Sequence, residues 1–235
     1  MSDIHGDINS FKKLLKNVDL KKDKLLILGD AVDRGEKSIE TLQFIMTLFV
    51  RYPGRISMLK GNHELFLSMW IDGDPMLSER SWISFGGAPT LASLRYMSES
   101  DVDEIKGFVD SLPLYREIES PVYGACVATH SGLDAQHLVL NPDGTINAVQ
   151  SIIKGYEASP FRMLCSDDIH YLPAHPEPDR YMIVGHVPCT RLTGSHMIIR
   201  TKRYMDIDSG ANPNERKLGG RLSMYCVDTD TEYYA

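Results

Sequence analysis

The sequence lacks the features that would place the chain in a membrane, in a secretory pathway or on a nucleic acid. No apolar run approaches the roughly 20 residues that a membrane-spanning helix requires. The segment MSDIHGD at the start has neither basic residues nor an apolar stretch, so no secretory signal is visible and we expect a cytoplasmic protein. The 235 residues carry a formal charge of −7, which argues against a surface that follows a nucleic-acid backbone. We therefore expect no membrane and no nucleic-acid partner.

Cysteine is also scarce. The four cysteines are scattered without the close spacing of a zinc-binding pair or of a disulfide framework. We predict that they are small buried apolar residues. They are Cys126, Cys165, Cys189 and Cys226.

Short apolar runs alternate with amphipathic segments along the chain, and this alternation is typical of α/β proteins. A chain of 235 residues is long enough for one sizeable core, and no linker divides it, so we predict a single domain over residues 1–235. Five runs that end on a glycine or a polar turn are the predicted strands: residues 24–29, 55–61, 123–130, 180–186 and 203–210.

The remaining segments predict helices, a surface excursion and a late hairpin. Residues 38–53 have helical periodicity and end in a proline, and HGDINSFKKLLKNV predicts a loop that enters a helix capped by Asn9 or Ser10. Residues 65–120 look mostly helical. Residues 131–180 are rich in proline, aspartate and glycine, which predicts a long surface excursion over one mouth of the sheet. The final RLSMYCVDTDTEYYA predicts an antiparallel hairpin strand, so the sheet should be mixed.

Residues of metal-ligating types follow several predicted strands, in SDIHG, GDAVDRG, GNHE, ATHSG and IVGHVP. Ligands of α/β sheets collect beyond the carboxyl ends of the strands, so these clusters should converge. Carboxylate, amide and imidazole groups without thiolate suit manganese, iron or zinc. Two cations about 3.5 to 4 Å apart need a bridging carboxylate and lower the pKa of a shared water molecule. We predict a dinuclear site with Asp30 as its bridge.

The ordered motifs SDIHGD, GDAVDRG, GNHE, HSG and GH resemble the calcineurin-like metallophosphoesterases, and among them the bacterial phosphoprotein phosphatases. The resemblance extends from Asp3 to the strand before Gly210. It implies mixed β-sheets in a sandwich flanked by α-helices, two divalent metal ions and a hydrolase of phosphate esters. Manganese is the preferred metal, with iron, zinc or nickel as alternatives.

The resemblance also implies a role for each motif residue. His63 would be the general acid that protonates the leaving oxygen, Asp33 would orient it, and Arg34 would bind the phosphate. These roles fit phosphoryl transfer, which needs charge neutralisation and a proton for the leaving group. The first metal ion would be held by Asp3, His5 and Asp30. The second would be held by Asp30, Asn62, His130 and His186. The phosphate would contact Arg34, Asn62, His63 and a second arginine.

The family usually places that second phosphate-binding arginine between its last two metal-binding histidines. Arg162, in SPFRMLCSDD, is the preferred candidate, although the tryptophan-containing segment that often marks this position is absent. Arg180 is the alternative, but it begins the strand that leads to His186 and would lie at the wrong end of it.

The first motif departs from the family pattern, in which its aspartate ends a central strand. Only Met1 and Ser2 precede Asp3. We expect either that the missing first strand precedes Met1 in the native chain, or that the first ligands lie on an untethered terminus. Metal affinity would fall in the second case, because a loose ligand loses entropy when it binds.

Structural alternatives exist for single motifs. GDAVDRG is also typical of a charged turn after a strand, and GNHE of a helix start with Asn62 as the cap and Glu64 in the first turn. Asp208 could orient a metal-binding histidine or cap a turn. The histidines outside every motif are predicted to be ordinary surface or core residues: His137, His170, His175 and His196.

Three functions are therefore open. The preferred one is hydrolysis of phosphomonoesters, including phosphoserine and phosphothreonine, through direct attack by a metal-bridging hydroxide; the substrate would be a phosphorylated protein or a small phosphoester. A dinucleoside polyphosphate hydrolase shares these motifs, but residues 131–180 offer few aromatic groups beyond Tyr156, Phe161 and Tyr171. A non-catalytic phosphate-binding module would be expected to have lost some ligands or His63, and all are present.

Overall fold

Two β-sheets and a separate hairpin organise the protein, as seen in a computed structural model that describes residues 1–235. The first sheet pairs β1 and β2 in parallel; the second is mixed and has the order β3-β4-β5-β7-β6; β8 and β9 form an antiparallel hairpin. The strands are β1 (Leu25–Ile27), β2 (Ile56–Met58), β3 (Tyr115–Ser120), β4 (Gly124–Thr129), β5 (Tyr181–Val184), β6 (Ile199–Arg200), β7 (Tyr204–Asp206), β8 (Ser223–Cys226) and β9 (Thr231–Tyr234).

Ten α-helices and two 3₁₀ turns connect these strands. None of the helices is long and apolar enough to cross a membrane. The helices are α1 (Ile8–Leu15), α2 (Ser38–Arg51), α3 (Asn62–Ile71), α4 (Glu79–Ser84), α5 (Ala88–Leu94), α6 (Glu99–Asp110), α7 (Ala148–Ala158), α8 (Pro160–Leu164), α9 (Cys189–Thr193) and α10 (Pro213–Arg216); the 3₁₀ turns are Ala135–His137 and Asp168–His170.

The two sheets face each other, and helices cover their outer faces. The two faces of strand β4 illustrate this arrangement. On one face, Cys126 and Ala128 lie between the sheets in one apolar cluster with Leu28 and Leu59. On the other face, Val127 packs in a cluster with Ile152 of α7. This alternation follows from the two-residue period of a strand, which gives a buried strand two apolar faces. The outer face of the first sheet is covered by α1, α2, α3 and α6. The predicted α/β sandwich with flanking helices is confirmed.

The segment before Asp3 is not untethered. The amino nitrogen of Met1 donates to Leu26 O at 3.1 Å, and Leu28 N donates to Met1 O at 2.9 Å, so residues 1–3 run parallel to β1. Asp3 N continues this pairing with a bond to Gly29 O of 3.2 Å. Met1, Ser2 and Asp3 are all buried. The expectation of loosely held first ligands is therefore wrong.

One predicted helix cap is wrong, and the structural alternative that made Asn62 a helix cap does not hold. Helix α1 is capped by Asp7, whose side chain accepts a hydrogen bond from Ser10 N at 3.0 Å, and not by Asn9 or Ser10. Helix α3 begins at Asn62, so its cap is Gly61 and the Asn62 side chain is left for other contacts. Glu64 does lie in the first turn of α3, as predicted.

Residues 131–180 are more ordered than the composition predicts. They contain α7 and α8, and α7 buries Ala148 and Ile152 against the second sheet. Helix α7 is only 11 residues long, and prolines and aspartates on both sides obscure its periodicity. The predicted burial of the cysteines holds for Cys126 and Cys189, while Cys165 and Cys226 are half-buried.

Candidate active site

Asp30 lies just beyond β1 and faces two histidines from distant parts of the chain. Its Oδ2 is 3.7 Å from His5 Nε2, and its Oδ1 is 3.4 Å from His130 Nε2. Two groups of possible ligand atoms share this carboxylate, each with all atoms within 4.8 Å of one another: one adds His5 and His63 to Asp30, and the other adds His130 and His186. The fold thus places Asp30 between two clusters, each of a size suited to one metal ion.

Asp3 and Asn62 complete this cluster. Asp3 Oδ2 accepts a hydrogen bond from His186 N at 3.0 Å, which joins residues 183 positions apart. Asp3 Oδ1 lies 3.9 Å from His5 Nε2 and is buried without a hydrogen-bond partner. Asn62 Oδ1 lies 2.9 Å from His130 Nε2. All six predicted ligands therefore come together at one edge of the two sheets.

The histidine tautomers and the buried carboxylates of this cluster both suit divalent cations. His5 Nδ1 donates to Val32 O at 2.9 Å and His130 Nδ1 donates to Leu28 O at 2.8 Å, so the Nε2 lone pairs face Asp30. Burial lowers the pKa of His5 and of His186 well below its ordinary value. Burial, together with the nearby Asp3 and Glu64, raises the pKa of Asp30 well above its ordinary value. Imidazole nitrogens that face a buried carboxylate, with the unpartnered Asp3 Oδ1 beside them, are a donor set that fits a pair of divalent metal ions.

The backbone at this edge is held in a conformation that residues with a side chain rarely adopt. Only seven non-glycine residues have a positive φ, and six of them are motif residues; the seventh is Asp230. Such left-handed residues persist where the surrounding structure fixes them, and they are common at functional sites. The six, with φ between 47° and 75°, are Asp3, His5, Asp30, Asp33, Arg34 and His186.

Glu64 holds the loop after β1 against the start of α3. Its buried carboxylate accepts hydrogen bonds from Asp30 N at 2.8 Å, Ala31 N at 2.9 Å and Gly61 N at 3.0 Å. The approach is so close that an ideal Cβ on Gly61 would lie 2.1 Å from Asp30 Oδ1. Glycine at position 61 is therefore required by the position of Asp30.

Asp33, His63 and Arg34 form a connected chain beside the ligand cluster. His63 Nδ1 donates to Asp33 Oδ2 at 2.7 Å, and Arg34 Nη2 donates to His63 Nε2 at 3.2 Å. His63 Nε2 also lies 3.8 Å from Asp30 Oδ2. Burial, followed by the Arg34 charge, lowers the pKa of His63 well below its ordinary value. The structure thus brings the three predicted catalytic side chains together, with His63 neutral and Arg34 against its outer nitrogen.

Two residues that the sequence analysis did not predict, Trp82 and Thr90, form hydrogen bonds with Asp33. Trp82 Nε1 donates to Asp33 Oδ2 at 2.8 Å, and Thr90 Oγ1 bonds Asp33 Oδ1 at 2.5 Å while accepting from Asp33 N at 3.1 Å. All three residues are fully buried. Burial raises the pKa of Asp33 to about 7, and the bonds from Thr90 and Trp82 oppose this rise. Only the density of polar and glycine residues in SWISFGGAPT could have drawn attention to this segment.

The structure separates the two candidates for the second arginine. Arg162, on α8, is 39% exposed, and its guanidinium bonds Asp134 Oδ1 at 2.9 Å and Asp168 Oδ2 at 3.1 Å. Arg180 pairs with Glu117 of β3 at the end of β5 away from His186. Arg180 is therefore not brought to the cluster, and Arg162 is held by two carboxylates.

The residues outside the motifs have structural contacts. Asp208 Oδ1 accepts from Gly210 N at 2.9 Å, which is the turn-capping role that the sequence left open. His170 Nδ1 lies 3.1 Å from the Tyr204 hydroxyl. None of the four histidines outside the motifs belongs to either group of possible ligands.

A family comparison agrees with this site. Residues 1–189 match the model of the calcineurin-like phosphoesterases. The chain belongs to this family. Its Asp30-centred groups of aspartate and histidine could hold the dinuclear divalent metal site that is found in this family.

Similar proteins share the fold but differ in what they are named for. A symmetrical bis(5'-nucleosyl)-tetraphosphatase of Psychromonas ingrahamii is 30% identical over 159 residues, 67% of this chain and 51% of the relative. The chain thus spans about half the length of that curated relative. A crystal structure described as that of a candidate diadenosine tetraphosphatase has a TM-score of 0.59 at 15% identity, covering 100% of this chain and 90% of the other. A serine/threonine phosphatase from Saccharomyces cerevisiae has a TM-score of 0.56 at 19% identity, with 90% and 68% covered. The finer resemblance to serine/threonine phosphatases is not supported by the curated relative.

Proposed function

We propose that this phosphoesterase is a dinuclear metal-dependent phosphatase whose two cations are shared by Asp30. The observation that carries the proposal is the position of this one carboxylate, which faces His5 on one oxygen and His130 on the other while His63 lies 3.8 Å away. The remaining ligands would be Asp3, Asn62 and His186. When bound, the two ions would neutralise phosphate oxygens and lower the pKa of a water molecule that attacks phosphorus.

Arg34 and Asn62 would orient the phosphate. Arg34 Nη2 lies against His63 Nε2 at 3.2 Å, so a phosphate that enters between these groups can accept from the guanidinium while its leaving oxygen meets the imidazole. The planar guanidinium binds two phosphate oxygens at once, which lysine cannot do. Binding of substrate thus transfers the Arg34 contact from His63 to the phosphate.

His63 would supply the proton that the leaving group needs. Its Nδ1 is fixed by Asp33 at 2.7 Å, so only Nε2 can exchange a proton with the substrate. Because His63 is neutral, its Nε2 would first take up a proton from solvent once Arg34 has moved to the phosphate, and it would then give that proton to the leaving oxygen. The adjacent Asp33 carboxylate would stabilise the imidazolium that exists between these two steps. General acid catalysis of this kind contributes typically about 10²- to 10⁴-fold.

The proposed substrates are phosphomonoesters, including phosphoserine and phosphothreonine. A dinucleoside polyphosphate is the second candidate, and the observation that favours it is the 30% identity with a tetraphosphatase. Both reactions would use the same ligands and the same His63. The two candidates differ in the bond that is cleaved, a phosphate ester in the first and a phosphoanhydride in the second, and in the group that leaves.

Turnover by purified protein tests the proposal. The metal-stripped protein should hydrolyse none of glycerol 2-phosphate, a phosphoserine peptide and diadenosine tetraphosphate, and added manganese should restore turnover of at least one. His63→Asn should lower kcat by about 10²-fold or more, whereas His175→Asn, at an exposed histidine outside the site, should leave it unchanged. If no phosphate ester is turned over with manganese, iron, zinc or nickel, the proposal fails.

A further inference from the structure

A cleft of about 300 Å³ is lined in part by Arg34 and by none of the six predicted metal ligands. None of its lining residues other than Arg34 belongs to the site described above. The lining includes Arg34, Ser84, Phe85, Pro89, Pro213 and Asn214.

The wall of this cleft is fixed to the phosphate-binding arginine. Arg34 N donates to Gly86 O at 2.7 Å, and an ideal Cβ on Gly86 would lie 2.7 Å from Arg34 Cγ. Gly86 has a φ of 105°, which other residues rarely adopt. A group bound against this wall would therefore lie next to Arg34.

The ring of Phe85 forms the aromatic part of the wall. It is 40% exposed, and its inner face stacks on the buried ring of Phe66 at a centroid distance of 5.1 Å and an angle of 25°. Phe66 in turn packs against His63 at 5.5 Å. The stack holds Phe85 rigidly, so its free edge and face offer a preorganised surface for a planar group.

Apart from Arg34, the polar groups of the cleft are neutral. Arg34 is the one charged residue in its lining, while Ser84 offers a hydroxyl and Asn214 offers an amide with both a donor and an acceptor. A site for an acidic or basic peptide would carry opposing charges. An aromatic ring with a neutral amide beside a phosphate clamp instead matches a nucleobase, which has a π face and a hydrogen-bonding edge.

We propose that this cleft binds the nucleoside portion of a nucleotide substrate, with the base stacked on Phe85 and its edge bonded by Asn214. The proposal rests on the proposed phosphatase function and deepens it by naming the substrate class. Pro213 and Asn214 lie after residue 189, the last residue that matches the family model, so this side of the cleft belongs to the chain's own C-terminal segment.

Phe85→Leu tests the proposal because it keeps apolar bulk and removes the stacking face. Stacking of a base on an aromatic side chain contributes about 1–3 kcal/mol. We expect kcat/KM for diadenosine tetraphosphate to fall about 10-fold or more, mainly through KM, and kcat/KM for glycerol 2-phosphate, which has no ring, to stay within about 2-fold. Asn214→Ala should weaken the first reaction and not the second.

Phe161→Leu is the matched control. Phe161 also packs on Phe66, at 5.7 Å, and is 38% exposed, but it does not line the cleft. Its replacement should leave both reactions within about 2-fold of the original protein. Loss of the nucleotide reaction in Phe161→Leu alone, or equal losses of both reactions in Phe85→Leu, would overturn the proposal.

Binding of adenosine 5'-monophosphate to the manganese-loaded protein, measured by calorimetry, separates failure of the cleft from failure of the chemistry. We expect affinity to fall about 10-fold in Phe85→Leu and to be unchanged in Phe161→Leu, whether or not any ester is hydrolysed. The cleft proposal would be overturned if the affinity for adenosine 5'-monophosphate is unchanged in Phe85→Leu. The phosphatase function would still stand if the protein then hydrolyses glycerol 2-phosphate or a phosphoserine peptide.

Discussion

Trp82→Phe would remove one hydrogen bond from behind the Asp33–His63 pair and keep an aromatic ring in the core. Asp33 Oδ2 accepts from Trp82 Nε1 at 2.8 Å and from His63 Nδ1 at 2.7 Å. Phenylalanine has no donor for this oxygen. The substitution therefore tests whether Asp33 acts through its charge and orientation, because it leaves every predicted catalytic side chain in place.

The size of the effect follows from the energy of a hydrogen bond to a charged group, which is about 1.5–3 kcal/mol. If the bond stabilises the carboxylate that His63 needs, kcat/KM at neutral pH should fall about 10- to 100-fold. The replacement should not unfold the protein, because phenylalanine keeps a buried ring in contact with Trp70. In the original protein the ring centroids of Trp70 and Trp82 are 5.5 Å apart.

The pH dependence gives the sharper test. Burial raises the pKa of Asp33 to about 7, and the Trp82 bond opposes this rise. Without that bond the pKa moves further upward, so Asp33 stays protonated to a higher pH and cannot stabilise the imidazolium. The limb of the kcat/KM profile on which activity falls with acidification should therefore move to higher pH by roughly one to two pH units.

Steady-state assays across about pH 5 to 10, with manganese held constant, measure this limb. Trp70→Phe is the control, because Trp70 is the other tryptophan of the chain and has no bond to Asp33. Its profile should match the original protein. An unshifted limb in Trp82→Phe, or the same shift in Trp70→Phe, would refute the positioning role of Trp82.

Four further substitutions, two of them compared with each other, test other parts of the site. Asp30→Asn should reduce the bound manganese measured by elemental analysis from two equivalents per chain and abolish turnover, because both ions lose their shared carboxylate; a variant that keeps two ions and activity contradicts the bridging role. Arg34→Ala should lower kcat/KM more than Arg162→Ala does, because Arg162 is held by two carboxylates, and equal losses would show that Arg162 also reaches the phosphate. Glu64→Gln should lower the free energy of unfolding of the metal-free protein by about 1–3 kcal/mol in urea titrations. The glutamine NH2 group cannot accept a hydrogen bond, so a buried backbone N–H would lose its acceptor. An unchanged free energy of unfolding contradicts this prediction.

Four of the six predicted ligands lie a few residues beyond a strand, so their meeting at one edge could be expected from the sequence: Asp30, Asn62, His130 and His186. Short turns leave little freedom for where such residues can go, so Asp30 after β1 and His130 after β4 had to reach the same edge once the sheets faced each other. The sandwich itself could be predicted only through the family resemblance. Nothing in the periodicity of β1 or β4 specifies which of their two buried faces meets the other sheet.

The contacts that support the cluster could not be predicted. Trp82 and Thr90 hydrogen-bond to Asp33 although they lie 49 and 57 residues away from it in the sequence. Both belong to a region in which local sequence patterns predict only helices. The segment before Asp3 is too short to have a period, so its pairing with β1 is visible only when Met1 and Leu28 are seen together. Such contacts depend on where loops meet in the folded chain, and propensity and spacing carry no information on that.

The same long-range contacts couple the metal-ligand cluster to the whole fold. Six motif residues have a left-handed backbone, and each such residue costs of order 1–3 kcal/mol unless its surroundings fix it. The fixing comes from distant segments: Glu64 binds the backbone around Asp30, and the backbone of His186 binds Asp3. Because these bonds exist only in the folded chain, the ligands converge only there, and cations that bind them stabilise the native state by mass action. The site is therefore assembled by folding as a whole and not by any single motif.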